Sequence, residues 1–265
     1  MLSRTGQMLI CQLPGLSFDG LAASASYFDG TDRLVRSQGG DFKTAPFGSW
    51  SGCCWIGAPV SGKYICSALY DLSSQGSISM YVYVDANGLV NVAYSDDGNQ
   101  VGKSIRSTTS PVIAGDKWNF IAWSIDIEEG FDGIQVNDET GYEVVSDSTA
   151  GPVEIYTNRG VYGIGDLGNT NTSSKFIGGM YNLWHRRGAF ENISSDISAF
   201  VNSGTDYSPR NLGLNGTATG LTQPDICMNR PFNSFQVNGG AAGTPCTLFG
   251  ALTSATKPSI PGSAL

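Results

Sequence analysis

From Ser24 to Asn192 the chain repeats one pattern: four to nine residues rich in Val, Ile, Tyr, Phe and Trp, closed off by Gly, Asn, Asp or Pro. Runs this short, bounded by turn-forming residues, read as β-strands. Between Ser77 and Tyr94 the period is two, with Ile78, Met80, Val82 and Val84 alternating with Ser79, Tyr81 and Tyr83. Asn87-Gly88 supplies the positive φ angles of a tight hairpin turn. On the return strand Leu89, Asn91 and Ala93 fall on one face, and Val90, Val92 and Tyr94 on the other.

Trp118 to Ile127 is apolar on both faces, with Trp118, Phe120 and Ala122 against Ile121, Trp123 and Ile125, as a strand in the middle of a sandwich would be. A second hairpin is expected from Gly133–Val136 and Tyr142–Val145 across residues 137–141, and Phe176 to Trp184 reads as another long strand. The helical candidate is Ser194 to Val201, where Ile193, Ile197, Phe200 and Val201 have helical spacing. With 35 glycines and only 14% charged residues, the composition favours many short strands joined by tight turns. A chain of 265 residues suits one large all-β unit.

After Gly204 the texture changes. Charged residues nearly vanish, and Pro209, Pro224, Pro231, Pro245, Pro258 and Pro261 punctuate a run that still carries Leu212, Leu214, Leu221, Ile226, Phe232, Phe235, Val237, Leu248, Phe249 and Leu252. So many apolar groups must be covered, by this chain or by a neighbour. The expected organisation is an N-terminal arm over 1–23, a sandwich over 24–203 and an extended assembly arm over 204–265, with short strands at Phe235–Val237 and Thr247–Phe249.

A net charge of −8, with no basic stripe interleaved with aromatics, argues against nucleic acid as a partner. No apolar run approaches the ~20 residues of a membrane span. Met1 to Gly15 lacks the layout of a secretory signal, so ordinary export is not expected. Six cysteines (Cys11, Cys53, Cys54, Cys66, Cys227, Cys246) would suit an oxidising setting, yet synthesis in a cytoplasm would keep them reduced. A virion protein, made inside a host cell and working outside it, reconciles the two; reduced, buried cysteines acting as small hydrophobes are the alternative.

Tyr27-Phe28-Asp29-Gly30-Thr31-Asp32-Arg33-Leu34 resembles the opening of laminin G-like jelly rolls. Lys117-Trp118-Asn119-Phe120-Ile121-Ala122 looks like that family's Trp-led central strand, and Ile134-Gln135-Val136-Asn137 like its next strand and turn. Phe176-Ile177-Gly178-Gly179-Met180-Tyr181-Asn182-Leu183 resembles its late strand, where a Gly lets the chain pass closely. The resemblance implies an all-β, antiparallel β-sandwich of the concanavalin A-like jelly-roll kind over roughly 24–203. Asn215-Gly216-Thr217-Ala218-Thr219-Gly220, Asn238-Gly239-Gly240 and Gly250-Ala251-Leu252 resemble the C-terminal extension of laminin G-like proteins of tailed bacteriophages and prophages.

This fold hosts lectins, adhesins, enzymes and structural parts, so function must come from particular residues. A glycoside hydrolase would need facing carboxylates, and Asp126 and Glu128 have strand parity but sit where the strand runs into a turn. His185, the only histidine, has no nucleophile signature nearby and reads as an edge or surface residue. No catalytic residues are therefore assigned. The cysteine spacing does not suit zinc. Calcium is the metal the resemblance implies, with Asp29, Asp32, Asp96 and Asp97 as candidate ligands and Asp166 in a further oxygen-rich loop, although turn chemistry alone explains such residues. Cys227 with Cys246, then Cys54 with Cys66, are the disulfide candidates. Trp50, Trp55 and Tyr64 lie in a Gly-rich stretch that reads either as a binding loop or as core.

The leading expectation is a non-enzymatic bacteriophage structural protein, a capsid decoration or fibre-like subunit at the virion surface, homo-oligomeric and held to other virion proteins. The alternative is an adhesin or lectin recognising host cell-surface glycan.

Overall fold

Alternation of apolar and polar residues produces two eight-stranded antiparallel sheets whose apolar faces meet. The computed structural model describes residues 22, 24–36, 49–69, 78–94, 103–108, 111–112, 116–126, 131–147, 162–166, 175–187, 196–202, 208–241, 245–259, 261 and 265. The first sheet contains β1 (Ala25–Asp29), β3 (Ser49–Gly57), β8 (Trp118–Asp126), β9 (Phe131–Val136), β10 (Glu139–Thr140), β13 (Ile177–Arg187), β16 (Ile226–Met228) and β18 (Thr253–Ala255). They run in the order β10-β9-β8-β3-β13-β1-β18, with β16 pairing β13 beyond the end of β1. The second sheet contains β2 (Arg33–Arg36), β4 (Lys63–Leu69), β5 (Ile78–Val84), β6 (Val90–Tyr94), β7 (Lys103–Ser107), β11 (Tyr142–Asp147), β12 (Tyr162–Ile164) and β17 (Thr247–Phe249). Its order is β11-β7-β6-β5-β4-β12-β2-β17. The expected all-β, antiparallel jelly-roll sandwich is therefore the fold.

The main core lies between the sheets. Trp50, Cys54, Ile56, Ile121, Trp123, Ile125, Met180 and Leu183 from the first sheet meet Leu34, Cys66, Met80, Val82, Val84, Val90, Val92, Ile105 and Ile164 from the second. The first sheet is equally apolar on its other face, where Cys53, Trp55, Trp118, Phe120, Ala122, Tyr181 and Trp184 form a second cluster. That cluster is covered by Ala199, Phe200, Val201 and Leu212, with Ile197, Leu221 and Leu265 packed against it. The strand parities expected in these two stretches are those found over Trp118–Ile125 and Met80–Tyr94.

Four local expectations are corrected. The turn at Asn87-Gly88 is wider than a two-residue hairpin: only Gly88 has a positive φ (81°), and the Asp85 carboxylate accepts from the Asn87 and Leu89 amides at 2.8 and 2.9 Å. The second hairpin joins β9 to β10, with Asn137 at φ 56°, whereas β11 pairs with β7 in the other sheet. The chain changes sheets at Gly141, whose amide donates to Ile134 O while its carbonyl accepts from Thr108 N. In place of a helix there is one 3-10 turn, Ile197–Ala199, cut short by β14 (Val201–Asn202) pairing with β15 (Ser208–Pro209). Phe235 follows another 3-10 turn, Phe232–Ser234, instead of starting a strand; the strand expected at Thr247–Phe249 is β17.

The segment after Gly204 is not a separate arm in this structure. Its β16 and β18 extend the first sheet, its β17 edges the second, and Leu212, Ile226, Met228, Phe235 and Leu252 are buried in the chain's own clusters. The expected arm over 1–23 lies outside the described residues apart from Ala22, which is buried.

The disulfide expectations are also corrected, because the five described cysteines are free, buried thiols. Cys227 stands opposite Trp184 on β13 and so faces the second cluster beside Cys53, whereas Cys246 belongs to the core between the sheets. The first sheet separates them. Cys54 and Cys66 enter the core from different sheets and stand there as free thiols. Cys11 lies outside the described residues. Burial pushes the thiols of Cys66, Cys227 and Cys246 up to about 12 and those of Cys53 and Cys54 well above the ordinary range. A raised value keeps each group neutral at physiological pH, and the thiolate is the reactive form. In a thiol-disulfide colour assay at pH 8 these five should react only after guanidinium is added; prompt reaction of any of them in the native protein would show the site to be open.

Candidate functional site

The outward face of the second sheet carries the most distinctive cluster of part-exposed side chains. Because Met80, Val82 and Val84 point inward, Tyr81 and Tyr83 must point outward from β5. Tyr64 on β4 stands directly opposite Tyr83, placed there by a register shift between Tyr64 and Cys66. The three ring centroids are 5.4–5.5 Å apart, with mutual tilts of 32° to 77°. Edge-to-face and tilted contacts at this spacing are the favoured geometries of aromatic pairs. Cross-strand partners of Tyr81 are small, Ser67 on β4 and Ala93 on β6, which leaves its ring room to lie along the sheet.

The row through Tyr64 and Tyr83 continues across β6, β7 and β11 as Asn91, Arg106 and Glu143. Arg106 is clamped: its Nε donates to Glu143 Oε1 at 2.8 Å, its Nη2 bonds the same oxygen, and Asp85 Oδ2 lies 3.7 Å from Nη1. Asn91 turns its amide to the Leu89 carbonyl. Burial, then the neighbouring ring, raises the phenols of Tyr64 and Tyr81; burial and Asp85 raise Tyr83, against Arg106. All three remain neutral hydroxyls at physiological pH, able to donate and accept hydrogen bonds. Side chains held in this way present a pre-organised surface of ring faces flanked by polar groups.

Of the aromatics singled out in the sequence, only Tyr64 takes part. Trp50 and Trp55 are fully buried on opposite faces of β3 and belong to the two clusters. Tyr81 and Tyr83 were visible only as outward partners in an alternating strand. His185 is a correction: it is fully buried, stacked on Tyr162 at 5.0 Å and edge-on to Trp50 at 5.4 Å. Asp126 is half-buried at the end of β8, and Glu128 lies outside the described residues.

Searches with the sequence match no protein-family model and no curated protein. Among solved structures, a candidate carbohydrate binding protein from Bacteroides ovatus superimposes with a TM-score of 0.50 at 17% identity, over 92% of this chain and 62% of that one. The native heptameric SAP-like pentraxin from Limulus polyphemus gives 0.46 at 16% identity, over 65% and 80%. Domains LG4-5 of the mouse laminin alpha1 chain give 0.46 at 12% identity, over 70% and 48%. At these identities the likeness is one of fold alone, that of an antiparallel jelly-roll sandwich.

Asp29 and Asp32, two of the calcium candidates, are engaged in holding the chain. Asp29 Oδ1 accepts from the Thr31 amide and hydroxyl, both at 2.7 Å, and these bonds lower the Asp29 carboxyl below its ordinary value. Asp32 is buried; its Oδ2 accepts from Asp29 N at 3.2 Å and its Oδ1 from Ala251 N at 2.7 Å. The second bond ties the C-terminal segment to the first turn, and Gly250, at φ 93°, passes so close that a Cβ there would meet Asp32 Oδ1 at 2.2 Å. Asp166, buried, is paired with Arg33 at 3.0 Å. Asp96 and Asp97 lie outside the described residues. Replacing Asp32 by Ala removes an acceptor from two backbone amides and should cost about 3 kcal/mol in urea unfolding, with Asp32→Asn costing less; an unchanged midpoint for Asp32→Ala would show that the latch contributes nothing.

Proposed function

We propose that the chain is a non-enzymatic binding module that holds glycan on the outward face of its second sheet. The observation that carries this reading is the part-exposed cluster of Tyr64, Tyr81 and Tyr83 beside the clamped Arg106. A pyranose has an apolar C–H face and a rim of hydroxyls, and it is matched by aromatic faces flanked by fixed donors and acceptors. Tyrosine supplies such contact area with little conformational entropy to lose. Arg106 is neutralised by Glu143 and Asp85, so the local charge is slightly negative and an uncharged glycan fits better than an acidic one. The resemblance in fold to a candidate carbohydrate binding protein agrees with this reading.

A second reading is favoured by one observation. The edge strand β11 leaves Tyr142, Val144 and Val145 exposed, at 41%, 51% and 51%. An exposed apolar edge invites a neighbouring strand. It suits a homo-oligomeric subunit of a bacteriophage virion, a surface decoration or fibre-like part made in the host cytoplasm. Such a subunit could carry the glycan face outward.

Both readings lead to measurements. In affinity gels containing xylan, mixed-linkage glucan, galactomannan or dextran, the protein should be retarded by at least one polymer. Tyr83→Ala should weaken that retention about tenfold with little change in thermal midpoint. No retardation by any of a broad set of neutral polysaccharides would remove the glycan reading. For the second, purified protein should run larger than a monomer in size-exclusion chromatography and Val144→Lys should reduce it to one; a monomer throughout would remove the structural-subunit reading.

A further inference from the structure

We propose that the tyrosine cluster prefers a glycan carrying a positively charged amino group, so that glucosamine units are bound more tightly than neutral units of the same length and linkage. The inference rests on the glycan reading and names the chemical class of its ligand.

The charges beside the rings do not balance. Arg106 and Glu143 lie in one cross-strand row with Tyr83 and Tyr64, and Asp85 follows the end of β5. The guanidinium joins both acids: its Nε and Nη2 bond Glu143 Oε1, and its Nη1 lies 3.7 Å from Asp85 Oδ2. One positive charge is set against two negative ones, which leaves a surplus carboxylate charge at the edge of the cluster. Asp85 is the sheltered partner, with its side chain 12% accessible and its Oδ1 accepting from the Asn87 and Leu89 amides. Glu143 is the presented one, 48% accessible, and both bonds from Arg106 end on the same oxygen, so that Oε2 keeps its lone pairs for a further donor.

The rings act in the same sense. The face of an aromatic ring attracts a cation that lies within ~6 Å of its centroid. Tyr64, Tyr81 and Tyr83 have centroids 5.4–5.5 Å apart, so a cation resting on one of them is near the others as well. A neutral pyranose stacked here gains its C–H contacts alone. Exchanging one hydroxyl for an ammonium adds attraction to the ring faces and to the surplus carboxylate, and the ammonium offers three donors and no acceptor, as a carboxylate requires. A net charge of −8 draws the same ligand from further away. Each effect is modest at a part-exposed surface, and the two local ones together amount to about tenfold in affinity.

The test is calorimetric titration of the full chain, at low ionic strength, with oligosaccharides of glucose, glucosamine and N-acetylglucosamine matched in length and linkage. The glucosamine form should bind about tenfold more tightly than the glucose form. N-acetylation turns the amine into a neutral amide and should remove that advantage, and added salt should shrink it. Tyr83→Ala should weaken all three. Glu143→Gln keeps an oxygen for Arg106 but cancels the surplus charge, and it should cut the ratio of glucosamine to glucose affinity to about twofold. Asp116→Asn, which removes an exposed carboxylate just ahead of β8 in the first sheet, should leave the ratio unchanged. Equal affinity for the glucose and glucosamine forms, an advantage that survives N-acetylation, or a ratio that falls as far with Asp116→Asn as with Glu143→Gln overturns the inference and leaves the glycan reading standing. Binding of the glucosamine form alone would be charge attraction without stacking and overturns it too. Failure of all three oligosaccharides to bind also overturns the inference, and failure of every neutral polymer as well removes the glycan reading with it.

Discussion

The first sheet is apolar on both faces, and much of the molecule follows from that. Its long strands β3 and β8 alternate one set of large side chains with another, so that Trp50 and Trp123 look into the sandwich while Trp55 and Trp118 look away from it. Pairing with the second sheet covers only one of these sets. Buried aromatics remove some of the largest areas of apolar surface from water, and a face carrying Trp55, Trp118, Phe120, Tyr181 and Trp184 cannot stay solvated. A third layer is required. The chain supplies it from 196–202, from 208–221 and from Leu265, whose methyl lies where a Cβ at Gly57 or Gly179 would have to go. The close passage of β13 past β3 depends on glycine in the same way, since a Cβ at Gly178, at φ 141°, would stand 2.6 Å from Gly57 O.

This requirement also determines where a ligand can be held. With the outer face of the first sheet covered by the chain's own C-terminal segment, a part-exposed sheet surface among the described residues is that of Tyr64, Tyr81, Tyr83 and Arg106 on the second. There the residues opposite the inward Val, Ile and Leu series are Tyr, Asn, Ser, Arg and Gly. Small partners beside Tyr81 let its ring settle against the sheet, and the Tyr64 register shift brings a third ring to the pair on β5. The cluster is thus a product of cross-strand register as much as of tyrosine content.

Strand parity was legible in the sequence wherever two adjacent strands shared a turn, as in Ile78–Tyr94, and wherever one strand was apolar on both faces, as in Trp118–Ile127. Parity does not say which sheet a strand joins. Tyr142–Val145 has the pattern of a return strand whether it pairs with β9 or with β7, and the choice is made by the backbone bonds of Gly141 to Ile134 and Thr108. The helical spacing of Ile197, Phe200 and Val201 was real as a buried pattern, yet β14 pairing ended the turn after three residues. Trp50 and Trp55 were ambiguous between loop and core because neighbouring glycines suggest a loop, whereas Gly52 is there to accept the Trp123 ring. The tyrosine cluster was beyond the sequence, because it joins β4 to β5 through a register irregularity that composition does not encode.

The cysteines show how a compositional argument changes once packing is known. Six of them in one chain suggest an oxidising destination, where thiols pair. In the structure the five that are described fill small gaps: Cys54 and Cys66 between the sheets, Cys53 and Cys227 beneath the third layer, and Cys246 beside Tyr162. Burial raises the pKa of each, and with it the energy of the thiolate that oxidation would need. The residues are small hydrophobes in this fold. A reducing cytoplasm is then no obstacle to folding, and an oxidising exterior no obstacle to service. The thiols therefore favour neither location, and the case for a surface role rests on what the second sheet displays: part-exposed rings and clamped charges on its outward side, and an apolar strand at its edge.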